Sequence, residues 1–445
     1  MSSPSKSIIF TMLTQIPTQI LGIICGVFIT RMLGPEGRGV YAIFYADIAL
    51  FSTILGFSIN TAITHFKASN FFPEKTLISV SILFSIVTIL LSFALLIIWL
   101  NLPIADLLFP SEHISWTYLL LFSIFIILGQ LNTLYAAFFQ GARKFDVVNK
   151  VLLLNSIYNL IIFGIAFIMH HYMLLSIGVT QVLFMAGLVL LLNAFQWHVH
   201  YRKHFTYQIN LRVKWQTEIK PFFAFMGLGH LSSVINFFNY RLVLWVLAYY
   251  LDHQQIGIFS LGAGLAQLID FISIPLAQVL MPYLSAETAE NRWPMFVKYA
   301  RLHFSIVLVL GALSVLIAVP LIPVVYGVAF AQSAHVFYMI VGGVILATQT
   351  RQIAVFFISS GKIRLNLYAT ITGFLLTFGF NIWLVRDYGI YGGAIAQTIT
   401  YSGIFLFVYL ALINFTKCNT LNIFFVNRAD IEYAKQRLKQ KTRRD

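Results

Sequence analysis

Charge is what this chain has least of. Asp, Glu, Lys and Arg together make up 10% of its 445 residues, against about 25% in soluble globular proteins. That is too little polar surface to coat a water-soluble particle of this size. Cysteine is nearly missing too: Cys25 sits in an apolar run and Cys418 near the end, so no disulfide framework is implied. There is no phosphate-binding P-loop pattern, which excludes an ATP-driven motor within the chain. His170 and His171 have no third ligand at metal spacing. No catalytic constellation appears, so neither catalysis, a metal nor a cofactor is expected. Segments of about 10 residues alternating polar and apolar, the mark of membrane strands, are absent as well.

What fills the chain is apolar sequence, 59% of it, with a mean hydropathy of +0.84. Unbroken runs such as "LISVSILFSIVTILLSFALLIIWL" at 77–100 recur from end to end. A run of about 20 apolar residues is what a helix needs to cross hydrocarbon, and inside lipid a helix satisfies its own backbone. The expected fold is therefore all-α and polytopic, with twelve spans at 8–30, 39–62, 77–100, 117–140, 148–169, 172–196, 221–249, 256–282, 301–320, 333–360, 366–385 and 389–414. The first span ends at Thr30-Arg31 without a small-residue cleavage pattern and reads as a retained helix.

The cations orient these spans, because cytoplasmic loops hold the excess of Lys and Arg. With the N-terminus inside, 24 of the 29 basic residues lie inside, and only Arg31, Arg38 and Arg386 lie outside. Both termini are then cytoplasmic. The net charge of +14 is mostly this topological bias, and nucleic acid is not an expected partner. The tail 428–444, "RADIEYAKQRLKQKTRR", reads as a surface helix attracted to anionic lipid headgroups.

One internal offset, 218 residues, brings the sequence over itself. Gly39-Val40-Tyr41 then faces Gly257-Ile258-Phe259, and "AAFFQGARK" at 136–144 faces "AVFFISSGK" at 354–362. Duplication of a six-span unit follows, giving lobes at 1–196 and 221–414, a cytoplasmic linker at 197–220 and a basic tail at 415–445. Six is even, so the repeats are parallel, an arrangement that puts substrate sites between the halves near midplane.

Charges inside spans are costly, by at least about 2.5 kcal/mol, and mark function. Four stand out away from the span ends: Asp47, Arg241, Asp270 and Arg351. At about 1.5 Å per residue, Asp47 and Arg241 both lie about 12–14 Å below the outer surface, which allows a cross-cavity ion pair. Ser260, Gln267 and Gln278 share the helical face of Asp270, while Asn236, Asn239 and Tyr240 surround Arg241. The amides read either as cavity lining or as interhelical glue. Arg351 is nearer the cytoplasmic side, where snorkelling is the alternative.

Three stretches carry a family resemblance: "TRMLGPEGRGVYAIF" (30–44), "NYRLVLWVLAYYLDHQQIGIFSLGAGLAQLI" (239–269) and "GKIRLNLYATITGFLLTFGFNIWLVRDYGIYGGAIAQTITY" (361–401). They resemble bacterial polysaccharide-biosynthesis membrane proteins, the Wzx-type flippases of the MOP superfamily, which also holds the MATE drug exporters. The resemblance implies two six-helix lobes in a V with alternating access, in the bacterial inner membrane. It implies an undecaprenyl-diphosphate-linked oligosaccharide as cargo, an O-antigen, capsule or exopolysaccharide unit, with polysaccharide polymerase or assembly proteins as further partners. On this resemblance Arg241 is the natural candidate for the fixed cation that a diphosphate needs, with Arg351 second; Asn236, Asn239, Tyr240 and Gln267 would suit the sugars, and Asp47 and Asp270 are the groups that could carry proton or sodium coupling. Members often carry an aspartate two residues after the span-7 arginine, where this chain has Val243. The competing readings are a MATE-like ion-coupled exporter, a lipid II-type flippase, and a scaffold without transport. Two Arg against two Asp lean toward anionic cargo.

Overall fold

The computed structural model describes residues 4–101, 116–173, 175–205 and 220–425. The tail 428–444 and residues 206–219 of the linker lie outside the described residues. Among the described residues there is no strand. The helices are α1 (Pro4–Gly56), α2 (Ile59–Ala68), α3 (Glu74–Leu100), α4 (Trp116–Gly141), α5 (Phe145–Tyr172), α6 (Val179–His204), α7 (Lys220–Tyr250), α8 (His253–Gln267), α9 (Ser273–Ala286), α10 (Ala289–Tyr326), α11 (Ala331–Ser359) and α12 (Ile363–Thr416).

Two of these helices are hairpins. A 53-residue α1 and a 54-residue α12 would each run about 80 Å if straight, more than twice the hydrocarbon thickness of about 30 Å. Each contains one glycine in a backbone state closed to other residues: Gly34 at φ 63°, ψ −176° and Gly389 at φ 56°, ψ −133°. Gly34 is followed by Pro35, which starts the returning leg without needing an N–H partner. At Gly389 the reversal is explicit. A side chain on Gly392 would collide with the carbonyl of Leu384, eight residues back and about 12 Å away in a straight helix.

Nine helices among the described residues are long and apolar enough to cross a membrane. Counting both hairpins as two passes and adding the 31-residue α7 gives twelve, in the order the sequence predicts. Helix ends differ where polar turns continue the helix: the ninth span, expected at 301–320, is part of a helix from Ala289 to Tyr326. The second span breaks at Phe57 and Ser58, both with positive φ. Phe57 stacks on His230 of α7 at 4.5 Å, and Ser58 Oγ lies 3.3 Å from Ser233 Oγ.

The duplication has a structural signature at the end of α4 and of α11. Ala142 N–H, Arg143 N–H and Lys144 N–H donate to the carbonyls of Phe138, Gln140 and Phe139. Ser360, Gly361 and Lys362 repeat the pattern onto Phe356, Ile358 and Phe357. The left-handed position of the turn is Arg143 in one copy (φ 57°) and Gly361 in the other (φ 73°). Every member of the second turn sits 218 residues after its counterpart.

By internal packing the described residues form two compact units, 14–260 and 261–425 with 4–13. The first has a core of Phe66, Phe84, Phe138, Phe139, Trp197 and Tyr201. The second is built on Leu280, Phe296, Phe356, Phe357, Leu412 and Ile423.

Candidate functional site

Between α8 and α9 the eighth span changes winding. Leu268–Ile272 is 3-10 helix, and the cause lies just beyond it. Pro275 has no N–H to give and its ring crowds the carbonyl of Phe271, four residues earlier, which weakens the α-helical winding of the preceding turn without forbidding it. Asp270 sits at the centre of this interruption. The helical spacing that aligned Gln278 with Asp270 therefore does not carry through, because the break winds at about 3.0 residues per turn.

Arg351, on α11, reaches the break. Its Nη2 donates to Asp270 Oδ2 at 2.6 Å and its Nε to Oδ1 at 3.3 Å, a two-point contact. The guanidinium thus engages a carboxylate within the span, where snorkelling had been the alternative. The Arg351 side chain is 36% exposed and that of Asp270 22%. A pair open to that degree is far more stable against water than against hydrocarbon.

Behind the pair lies a linked set of buried polar groups. Ser273 Oγ is 2.8 Å from His303 Nε2, and His303 Nδ1 is 3.3 Å from Gln349 Oε1. Gln349 Nε2 donates to the carbonyl of Ile423 at 3.2 Å, and Gln352 Nε2 to that of Ser273 at 3.1 Å. All four side chains are buried. Sequence reasoning missed His303 and Ser273. A histidine inside the apolar run "HFSIVLVL" and a serine two residues before Pro275 were the available signals. Gln267, just before the break, is half-buried.

In the unit 14–260, α7 presents Asn236, Tyr240 and Arg241 at its surface, while Asn239 and Val243 are buried. Asn236 and Tyr240 are one turn apart and share a face. Asp47 is fully buried among aromatic rings, and Phe44, one turn before it, packs edge-on against Tyr118 and Phe125. Its Oδ1 accepts from Trp245 Nε1 at 2.9 Å, and its Oδ2 has no hydrogen-bond partner among the described residues. The side chain that holds Asp47 is thus Trp245, one turn beyond Arg241 on α7, and the ion pair allowed by depth is not formed. Trp245 was the signal overlooked: an indole N–H in a span needs an acceptor.

The residues fall into two groups: a half-buried ion pair with a buried relay on α9, α10 and α11, and an exposed Arg–Tyr–Asn set on α7. Comparison with solved structures gives the same fold. An inward-facing multidrug resistance MATE family transporter of the MOP superfamily matches with a TM-score of 0.66 at 15% identity, over 91% of this chain and 96% of its own. The lipid II flippase MurJ in an inward closed conformation matches with a TM-score of 0.66 at 14% identity, over 91% and 87%. A MOP superfamily transporter from Pyrococcus furiosus, described as having a binding pocket of reverse polarity, matches with a TM-score of 0.63 at 15% identity, over 94% and 98%. No curated protein sequence matches the chain. The family model for polysaccharide biosynthesis proteins matches residues 5–287, well over half of the sequence, and the chain belongs to that family.

Proposed function

We propose that this multi-pass membrane protein is a flippase that passes an undecaprenyl-diphosphate-linked oligosaccharide from the cytoplasmic to the periplasmic leaflet by alternating access. The observation that carries the proposal is the Asp270–Arg351 pair. A guanidinium fork binds carboxylate and phosphate with the same two-point geometry. A diphosphate oxygen can therefore take the place of Asp270 on Arg351. The displaced carboxylate then needs a cation, and a proton or sodium ion supplies it, which couples cargo binding to ion entry. Asp47, buried with one free oxygen, is the second group suited to that role. In the unit 14–260, Arg241 is a further fixed cation and Asn236 and Tyr240 offer hydrogen bonds to sugar hydroxyls, while Asn239, also expected to do so, is buried; Gln267 offers the same in the other unit.

Family membership supports a lipid-linked glycan as cargo, and the excess of inside cations supports cytoplasmic termini in a bacterial inner membrane. Lobes at 1–196 and 221–414, joined by the linker 197–220, are the proposed moving parts, with the tail 415–445 at the cytoplasmic surface.

Deletion of the gene followed by complementation tests this. Arg351→Ala, Arg241→Ala and Asp270→Asn are each expected to lower surface polysaccharide and to accumulate lipid-linked intermediate. Full complementation by both arginine variants would sink the anchoring role. Efflux of a cationic dye by the wild-type protein, with no effect on polysaccharide, would favour the MATE-like exporter reading.

A further inference from the structure

The buried relay has a direction and an unexpected end. The Gln349 amide oxygen only accepts, so His303 Nδ1 carries the ring proton and donates it, leaving Nε2 to accept from the Ser273 hydroxyl. Gln349 Nε2 then donates onward to the carbonyl of Ile423. Three hydrogen bonds thus run head to tail from the start of α9 to a segment that lies beyond the last span. Such chains strengthen one another when shielded from water.

That segment is built into the unit. After α12 ends at Thr416 the chain makes a short 3-10 turn, Thr420–Ile423. Thr420 and Ile423 are buried, and Thr420 Oγ1 donates to the Tyr409 hydroxyl at 3.1 Å. Phe424 packs edge-on against Phe304 at 5.1 Å, and its carbonyl accepts from Ser305 Oγ at 3.4 Å. Phe304 and Ser305 directly follow His303 on α10, so the segment holds the same turn of α10 that holds the relay. At the other end, Gln352 grips the carbonyl of Ser273, the residue immediately after the 3-10 break that carries Asp270.

We propose that residues 419–424 are an internal latch: through Gln349, His303 and Ser273 they hold the break in the eighth span, and with it the position of Asp270 against Arg351. Gln349 and His303 are positioning residues, acting on the pair from behind. That the pair handles cargo rests on the function proposed above; that the segment holds the break does not. Release of Ile423 removes the acceptor from Gln349, frees the His303 ring to turn, and lets residues 268–272 rewind.

The test is a labelling rate in membranes. Leu268, in the break and 36% exposed, is replaced by cysteine in a full-length chain whose Cys25 and Cys418 are replaced by alanine. Its maleimide reaction is then followed. Gln349→Met, similar in volume but without the amide, is expected to raise the rate about tenfold, the size expected for loss of one buried hydrogen bond. Deleting 418–445 is expected to raise it equally, deleting 426–445 to leave it unchanged, and Gln349→Met combined with the longer deletion to add nothing. Val328→Cys, highly exposed after α10, reports general loosening and is expected to stay constant. Unchanged labelling in the longer deletion, equal effects of both deletions, or multiplying effects would each overturn the latch. The deletion pair decides the matter even where Gln349→Met fails to fold. Since no cargo is present, failure here leaves the flippase proposal standing. Failure of that proposal in complementation leaves the labelling result standing.

Discussion

Gly39 and Gly257 lie against each other, and each is packed by the partner's own preceding turn. A side chain on Gly39 would strike the carbonyl of His253, and one on Gly257 would strike that of Pro35. Both carbonyls belong to the residue four positions before the other glycine. His253 and Pro35 are themselves 218 residues apart, as are Gly257 and Gly39. The contact is therefore reciprocal, as at a local two-fold axis, and only glycine at both positions lets the backbones approach so closely. The stretch "RMLGPEGRGVYA" at 31–42 is thus a hairpin turn at Gly34 followed by one half of a symmetric crossing.

Substitution at this crossing is expected to be costly. Gly39→Ala and Gly257→Ala should each destabilise the protein by about 1–3 kcal/mol through overpacking. The double variant should lose less than the sum, because one backbone shift relieves both clashes. Thermal unfolding in detergent measures this; wild-type stability in both single variants would contradict the contact.

The duplicated turns give a prediction of opposite sign at equivalent positions. Arg143 occupies a left-handed backbone state that costs an L-residue about 1–2 kcal/mol, whereas its counterpart Gly361 occupies it freely. Arg143→Gly is expected to be neutral to stabilising by up to about 1 kcal/mol, and Gly361→Ala to destabilise by about the same amount. The same unfolding assay reads both. Equal effects in the two turns would show that they are not conformational equivalents.

Asp47 separates a structural role from a coupling one. Asp47→Asn keeps an oxygen to accept from Trp245 Nε1 and should preserve folding and expression. Asp47→Leu leaves the indole N–H buried without an acceptor and should cost about 1–3 kcal/mol. If Asp47 carries a coupling ion, Asp47→Asn abolishes ion-driven transport in proteoliposomes while thermal stability stays near wild type. Transport at the wild-type rate in Asp47→Asn would remove it from the coupling role.

The twelve passes were legible because nothing but lipid explains apolar runs of that length; the backbone states of Gly34 and Gly389 that reverse the chain emerge only in the structure. The duplication was legible at Gly39/Gly257, where the close backbone crossing admits only glycine, and at Lys144/Lys362, which end two equivalent turns. The break at 268–272 was less visible: its cause, Pro275, lies in the following helix, and Leu268, Ile269 and Asp270 carry no local signal. The pairing of Asp270 with Arg351 joins residues 81 apart, and depth arguments alone instead put Asp47 beside Arg241. A one-turn offset, giving Asp47 to Trp245, is below what span boundaries good to a few residues can resolve. His303 was hidden because a lone histidine in an apolar run does not name its partners.

The most direct measurement is movement of a labelled undecaprenyl-diphosphate-linked oligosaccharide across proteoliposomes containing the purified protein. Wild-type protein is expected to speed the appearance of label on the far leaflet. Arg351→Ala, replacing the guanidinium that Asp270 holds, is expected to slow it by at least about tenfold, the equivalent of one charged hydrogen-bond contact. No acceleration by the wild-type protein, or an undiminished rate in Arg351→Ala, would contradict the account.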